Sequence, residues 1–331
     1  MKDNPGNQPG TVSLLVRQVR LEAIGINSYE LVHPDGRELP EAAAGSHIDV
    51  YLPGDLVRQY SLCNDPSDRS RYLIAVLKDE RGRGGSRLLH EMLQVSNIIS
   101  VSRPRNNFPL HPHASRHLLL GGGIGITPLK SMAHSLAAEG KDFELHYCAK
   151  GPEYAAFRDE LQSIRSSHRI HIYYDGGNPA NGLQIGDLLK ERPEGTHLYY
   201  CGPAGFMAAC ASSSSHWPSG TVHSEHFRAP DRPLPVPDDV DSGAADNFIV
   251  EIASTGVELD IPSDRSIVDV LNEAGIGVET SCVSGLCGSC KVKFLSGTVD
   301  HRDFILSEEE RVDHLTTCVS RATSRKLVLD L

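Results

Sequence analysis

Four of the eight cysteines fall within 37 residues: Cys282, Cys287, Cys290 and, after a gap of 27 residues, Cys318. The spacing C-x4-C-x2-C followed by a distant cysteine suits a two-iron, two-sulfide cluster, with three thiolates from one loop and the fourth from elsewhere. Such a loop must fold tightly, and Gly285 and Gly288 permit the positive φ angles and close approach it needs. A structural zinc site is the alternative, but zinc modules usually show two short-spaced pairs, which x4 followed by x2 matches poorly. The other cysteines, Cys63, Cys148, Cys201 and Cys210, stand alone in the sequence. The opening MKDNPGNQPG lacks the apolar stretch of an export signal, so clustered thiols point to metal or redox chemistry rather than to disulfides, and the expected location is the cytoplasm.

Three further stretches carry groups that could hold anions or flat rings. Gly121-Gly122-Gly123-Ile124-Gly125-Ile126-Thr127-Pro128 leads from a strand into a helix and presents backbone N–H groups to a possible phosphate. It lacks the last glycine of the GxGxxG fingerprint and is a weak signal alone. Cys201-Gly202-Pro203-Ala204-Gly205-Phe206-Met207 makes a second glycine-proline turn after a strand. Arg58-Gln59-Tyr60-Ser61-Leu62 offers a fixed cation and an aromatic hydroxyl, and Gly82-Arg83-Gly84-Gly85-Ser86 opens a helix. Each of these, taken singly, is as well explained by ordinary structure.

The elements that must position these groups change character along the chain. Up to residue 110, short alternating stretches (13–20, 28–32, 47–52, 58–62, 72–77 and 98–102) separated by turns such as Pro53-Gly54-Asp55 predict an antiparallel barrel or sandwich. Over 111–227, strands at 118–120, 143–148, 170–174 and 197–201 alternate with helices, which predicts a parallel α/β sheet with ligands beyond the strands' carboxyl ends. Residues 228–246, with four prolines and five aspartates, read as a solvated linker. In 247–331, FIVEIA and VELDI flank a Ser254-Thr255-Gly256 turn, Ser266 precedes a helix, and KVKF and KLVL give further strands. His111, His113 and His117, at the barrel-to-sheet boundary without acidic or thiol partners nearby in sequence, read as linker residues.

The strand-strand-helix-cysteine-loop order of 247–331 resembles a plant-type ferredoxin domain, a β-grasp fold. Together and in order, the motifs resemble the ferredoxin-NADP reductase superfamily, and the carboxyl-terminal ferredoxin narrows this to the phthalate dioxygenase reductase family across nearly the whole chain. The resemblance implies that Arg58, Tyr60, Ser61, Leu62, Gly84, Gly85 and Ser86 hold FMN, with Ala75, Val76 and Leu77 along the flavin and Phe227 against it. It places the nicotinamide nucleotide at Gly122, Gly123, Gly125, Thr127, Pro128, Cys201, Gly202 and Pro203, with Met207 behind, Cys201 near the reacting carbon and Glu225 close by. Asp175 could repel a 2′-phosphate and so favour NADH, or be an ordinary turn residue; Lys150, Arg158 and Arg165 keep NADPH open.

The implied activity is an NADH-dependent reductase component. Nicotinamide releases two electrons as hydride and a cluster of this kind accepts one at a time, so a flavin must stand between them, and no catalytic acid or base of the hydrolase type is expected. The implied partner, held only transiently, is a Rieske-type oxygenase acting on an aromatic compound. The rivals are an FAD-type reductase for another oxygenase or a deoxygenating enzyme, a flavin and iron-sulfur redox sensor, and a zinc-stabilised binding module. A net charge of −11 works against nucleic acid or anionic lipid as a partner. Nine of those eleven charges lie in 228–331, where a docking surface would sit.

Overall fold

The computed structural model describes residues 10–54, 56–80, 82, 84–164, 169–228 and 247–331, so the expected linker lies almost wholly outside the described residues, as does Arg165. The chain divides into two compact units after Glu225.

The first unit contains two sheets. Strands β1 (Thr11–Ala23), β2 (Ile26–Val32), β3 (Ser46–Leu52), β4 (Leu56–Ser61) and β5 (Tyr72–Leu77), helix α1 (Gly85–Met92), and strands β6 (Ile98–Ser102) and β7 (Arg105–Asn106) follow in order. The antiparallel sheet runs β4-β3-β6-β1-β2-β5, with β7 beside β3. A bridge between Leu62 and Ile74 brings its two edges together as a barrel. Alternation of side chains sends Leu14, Val16, Tyr29, Leu31, Ile48, Val50, Ile74 and Val76 to the barrel core.

The second sheet is built from β8 (Arg116–Gly122), α2 (Ile126–Ala138), β9 (Asp142–Ala149), α3 (Arg158–Ser163), β10 (Ile170–Tyr174), α4 (Ile185–Leu189), β11 (Thr196–Cys201), α5 (Ala204–Ser213) and β12 (Val222–Glu225). It is parallel throughout, in the order β10-β9-β8-β11-β12. The chain leaves β8 in one direction to build β9 and β10 and returns to its other side to build β11 and β12. The crevice beyond the ends of β8 and β11 is therefore the switch point where such sheets take their ligands. One apolar core spans the seam between the two sheets, with Ala23, Ile26, Cys63, Leu73 and Ala75 from the barrel side and Leu129, Met132, Ala133 and Phe143 from the other.

The second unit comprises β13 (Phe248–Ile252), β14 (Glu258–Ile261), α6 (Ile267–Glu273), β15 (Lys291–Ser296), β16 (Val299–Asp300), β17 (His314–Thr316), β18 (Arg321–Ala322) and β19 (Lys326–Leu329). Its main sheet runs β14-β13-β19-β15-β17, and β16 pairs with β18. Ser266 caps α6 reciprocally with Asp269, a capping box with aspartate in the acidic position.

The linker expected at His111, His113 and His117 ends before His117, which lies on β8. His117 is a buried strand residue rather than part of a linker. It stacks on Tyr199 at 6.0 Å, while His111 stacks on His197 at 4.3 Å and His197 on His223 at 5.3 Å. The Tyr199 hydroxyl accepts the His111 backbone N–H at 2.8 Å. The stack lies at the amino ends of β8, β11 and β12, away from the crevice, and its partners were invisible because they come from strands about 80 residues apart. No helix among the described residues is long and apolar enough to cross a membrane.

Burial, reinforced by His197, His111 and His117, holds His223 down to about 4, and burial does the same for His47 inside the barrel. Both are neutral in the folded protein, whereas the unfolded chain takes up protons below about 6.5. The stability these two groups contribute is therefore fully present above that pH and is lost as the pH drops towards 4, by up to about 1.4 kcal/mol per pH unit for a nearly fully buried group such as His47. The melting temperature should drop between pH 7 and pH 5. His223→Phe, which keeps the stack and removes the titration, should give a shallower slope than the parent.

Candidate functional site

At the switch point the two glycine turns touch. A Cβ on Gly125 would lie 2.2 Å from the Cys201 carbonyl oxygen, one on Gly122 would lie 2.9 Å from Pro203, and one on Gly202 would lie 2.7 Å from the Phe206 ring. These three glycines let the turns after β8 and β11 pack on each other. Gly123 differs: its φ is +53° and a Cβ there would meet nothing within 4 Å, so it opens onto the crevice. The Thr127 hydroxyl donates to the Ile124 carbonyl at 3.0 Å and fixes the turn. Pro128 in the first turn of α2 gives up an N–H that has no helical partner anyway. Pro203 precedes α5, and Met207 and Cys210 are buried with Leu198 and Tyr200 beneath it. The crevice thus has the backbone shape and the uncapped helix start that suit a nucleotide's phosphates.

The barrel presents a second cradle. Arg58 on β4 lies directly over Gly85, where a Cβ would sit 2.3 Å from its Nε, so glycine is required for the guanidinium to cover the start of α1. Gly84 is left-handed, with φ 81°, and no side chain caps this helix. The Ser86 hydroxyl accepts the Asp79 backbone N–H at 3.0 Å, folding the loop back onto the helix start. Tyr60 and Leu62 pack at the barrel core. Ala75 faces the seam, Val76 faces the barrel core and Leu77 is exposed, so Val76 could meet a ring only through its backbone. Phe227 is also an exposed aromatic ring, in the second unit.

One link joins the two cradles. The Ser61 hydroxyl, at the end of β4, donates to Glu225 Oε2 at 2.9 Å. Burial pushes the Glu225 carboxyl up to about 7, with the Ser61 bond acting the other way, and that carboxylate in turn helps hold the buried Cys201 thiol well above its usual range. Glu225 follows from its place at the carboxyl end of β12, where Cys201 pairs with it; its bond to Ser61, 164 residues away, had no sequence signal. Asp175 follows β10, and one of its carboxylate oxygens accepts the Gly177 N–H at 2.6 Å, which closes a turn.

In the second unit β15 and β17 bring two of the four cysteines together. Their antiparallel pairing sets Lys291 opposite Thr316, so Cys290, just before one strand, and Cys318, just after the other, come together. The backbone N–H and hydroxyl of Thr317 both bond to the Cys290 carbonyl at 3.1 Å, and the Val268 N–H bonds to the Thr317 carbonyl, fixing this corner against α6. The loop itself runs through left-handed residues: Val283 at φ 49°, Gly285 at 70° and Gly288 at 71°. Val283, β-branched, pays about 1–3 kcal/mol for that conformation, strain the surrounding loop must hold. The Leu286 and Ser289 N–H groups point at Cys282 Sγ and Cys287 Sγ at 3.3 and 3.5 Å. Among the described residues no group of three or more metal-binding side chains converges as on a single ion. The thiols fall instead into two pairs, Cys282 with Cys287 and Cys290 with Cys318. Two thiols for each of two irons, with N–H donors to the sulfurs, is a donor set that suits a binuclear cluster.

A barrel with a cationic cradle, a parallel sheet with glycine turns at its switch point, and a four-thiol β-grasp unit define a modular electron-transfer oxidoreductase. Comparison with known proteins agrees. Residues 119–212 match the oxidoreductase NAD-binding domain and residues 250–323, which include all four cysteines, match the 2Fe-2S iron-sulfur cluster binding domain. The chain is 53% identical to the tert-butanol monooxygenase / tert-amyl alcohol desaturase reductase subunit of Aquincola tertiaricarbonis, over 98% of both chains. It is 44% identical to a vanillate O-demethylase oxidoreductase of Pseudomonas sp., over 97% of this chain and 100% of that one. The solved structure of phthalate dioxygenase reductase, described as modular for electron transfer from pyridine nucleotides to [2Fe-2S], superposes with a TM-score of 0.70 at 40% identity, over 97% of this chain and 98% of that one. The chain belongs to the phthalate dioxygenase reductase family.

Two substitutions test the geometry. Gly125→Ala should force the two turns apart and weaken nicotinamide-nucleotide binding by tenfold or more, read by titration. Cys318→Ser should remove most of the bound iron and acid-labile sulfide, read by chemical analysis, and leave the first unit folded by near-ultraviolet circular dichroism.

Proposed function

We propose that this chain takes hydride from NADH onto FMN and passes electrons singly, through its [2Fe-2S] cluster, to a Rieske-type oxygenase that acts on an aromatic compound. The observation that carries the reading is the Ser61–Glu225 bond, which joins the flavin cradle to the nucleotide crevice and so defines a place where two rings could meet. FMN supplies the step between a two-electron donor and a one-electron acceptor. The chain's own groups bind and orient. Arg58 and the N–H groups of Gly84, Gly85 and Ser86 hold a terminal phosphate, a role suited to FMN. Tyr60, Ser61, Leu62 and the backbone of 75–77 lie along the ring. Gly123, with the α2 start at Thr127 and Pro128, takes the nucleotide's phosphates. Cys201, Gly202 and Pro203 bound the nicotinamide, with Met207 supporting them from the core. Asp175, half-occupied by its own turn, disfavours a 2′-phosphate and so selects NADH. Cys282, Cys287, Cys290 and Cys318 hold the cluster.

A second reading concerns the oxygenase. The Aquincola relative serves a tert-butanol monooxygenase, so a tertiary alcohol is the other substrate class for the partner. No substrate of the partner need touch this chain in either case.

Anaerobic titration of the purified protein with NADH should bleach flavin and cluster absorbance together, with about three electrons taken up per chain. Retention of FMN after acid release, and not FAD, should accompany it. A colourless protein, or a flavin that bleaches with no cluster signal, would remove the proposal. Glu225→Gln should slow flavin reduction by about tenfold or more and flatten its pH dependence around 7, the pH at which the parent carboxyl titrates.

A further inference from the structure

Lys130 is a charged residue in an apolar place. It lies on α2 with a side chain only 2% exposed, within the core that fills the seam between the barrel and the parallel sheet. Its ammonium donates to the Cys63 carbonyl at 2.9 Å and pairs with Glu160 Oε2 at 2.9 Å, and it lies 4.7 Å from the centre of the Phe157 ring. The other oxygen of Glu160 accepts Arg20 Nη1 at 3.2 Å. Cys63 and Arg20 belong to the barrel, Lys130 and Glu160 to the nucleotide side, so the chain of contacts crosses the seam twice.

Its two ends are informative. Cys63 stands two residues beyond Ser61, just past the end of the strand that forms the flavin cradle, and its own N–H is tied to Leu73 on β5. Lys130 stands three residues beyond Thr127, one turn into the helix whose start faces the nucleotide crevice. An apolar seam alone is non-directional and tolerates sliding, whereas a buried ammonium held by a carbonyl, a carboxylate and a ring has one low-energy position. Glu160 is partly exposed, and an ammonium buried against such a carboxylate adds little stability compared with an apolar side chain of the same size, so stability does not explain why a lysine stands here.

We propose that Lys130 is a positioning residue for hydride transfer. By locking the start of α2 to the end of β4, it sets the separation and tilt of the nicotinamide relative to the flavin. This rests on the function proposed above. The step it serves moves one hydride, two electrons and one proton, from the dihydronicotinamide to the flavin ring, leaving NAD+ and reduced flavin. Transfer of this kind tolerates little displacement, and an error of about 1 Å costs roughly a hundredfold in rate.

The test is Lys130→Met in the full-length holoprotein, with Lys130→Arg and Glu160→Gln beside it. Methionine fills the space, and Glu160 keeps Arg20 as its partner, so the variant should fold and carry its full flavin and cluster. It should bind NAD+ within about twofold of the parent, by titration. The long-wavelength charge-transfer absorbance of stacked nicotinamide and flavin should be lost, and flavin reduction in single-turnover stopped flow should slow by about tenfold or more. Glu160→Gln should act in the same direction and more weakly, and Lys130→Arg should restore part of the absorbance. A folded Lys130→Met with the parent's charge-transfer band and reduction rate would overturn the inference, as would equal losses in affinity and rate. If Lys130→Met fails to fold, an unaltered band in Glu160→Gln overturns it instead. A parent protein that neither NADH nor NADPH reduces would defeat the functional reading rather than the role of Lys130.

Discussion

The structure of the first unit depends on how closely two turns can approach. Because the strand order reverses between β8 and β11, the loops leaving those strands diverge to opposite faces of the sheet and leave a crevice between them. For the crevice to be shallow and lined with backbone, the loops must touch at its floor. They do so at Gly125, against the Cys201 carbonyl, and at Gly202, against Gly122. A single methyl group at these positions would occupy space already filled by main chain, so the glycines are set by packing. Gly123, with open space where its Cβ would be, is the position that a ligand can approach.

The second unit meets an analogous constraint by different means. A metal loop of nine residues from Cys282 to Cys290 cannot surround a cluster while its backbone stays in the ordinary regions, and the chain turns left-handed at Val283, Gly285 and Gly288. Gly285 lies against Asp303 and Val319, and Gly288 against Ile305, so the loop is pressed on the segments before and just after Cys318. The fourth ligand needs no such contortion, because strand pairing brings it beside Cys290. Short-range turn chemistry thus supplies three ligands and long-range sheet register the fourth.

Much of this was legible in the sequence. The cysteine spacing needed only arithmetic, and most strands of the first unit's two sheets announced themselves by alternation and by glycine-rich punctuation. What escaped were relations between distant residues. The strand at Val222–Glu225 is four residues long and polar, with no pattern to mark it, yet its pairing with β11 carries Glu225 to Cys201. The histidines of 111–117 looked unpartnered because His197 and His223 reach them only through the parallel register. Val76 lay in a stretch expected along the flavin, but strict alternation on β5 turns its side chain into the barrel.

Lys130 is the instructive case, because the signal was present and local. On α2 the buried positions Ile126, Leu129, Ala133, Leu136 and Ala137 form an apolar face, and Lys130 falls on it, one residue after Leu129 and three before Ala133. Lys130 is the one charged residue among the buried positions of α2, and such a break marks a place where a requirement other than packing has prevailed. In a protein with two cofactor cradles on separate lobes, the requirement packing cannot meet is orientation. Apolar contact holds the lobes together across the seam but does not register them, whereas Ser61–Glu225 and Cys63–Lys130–Glu160–Arg20 each have one geometry. The first link joins the carboxyl ends of β4 and β12, the second the residues just beyond β4 to the second turn of α2. Two directional links at separated points fix a relative rotation that one link would leave free.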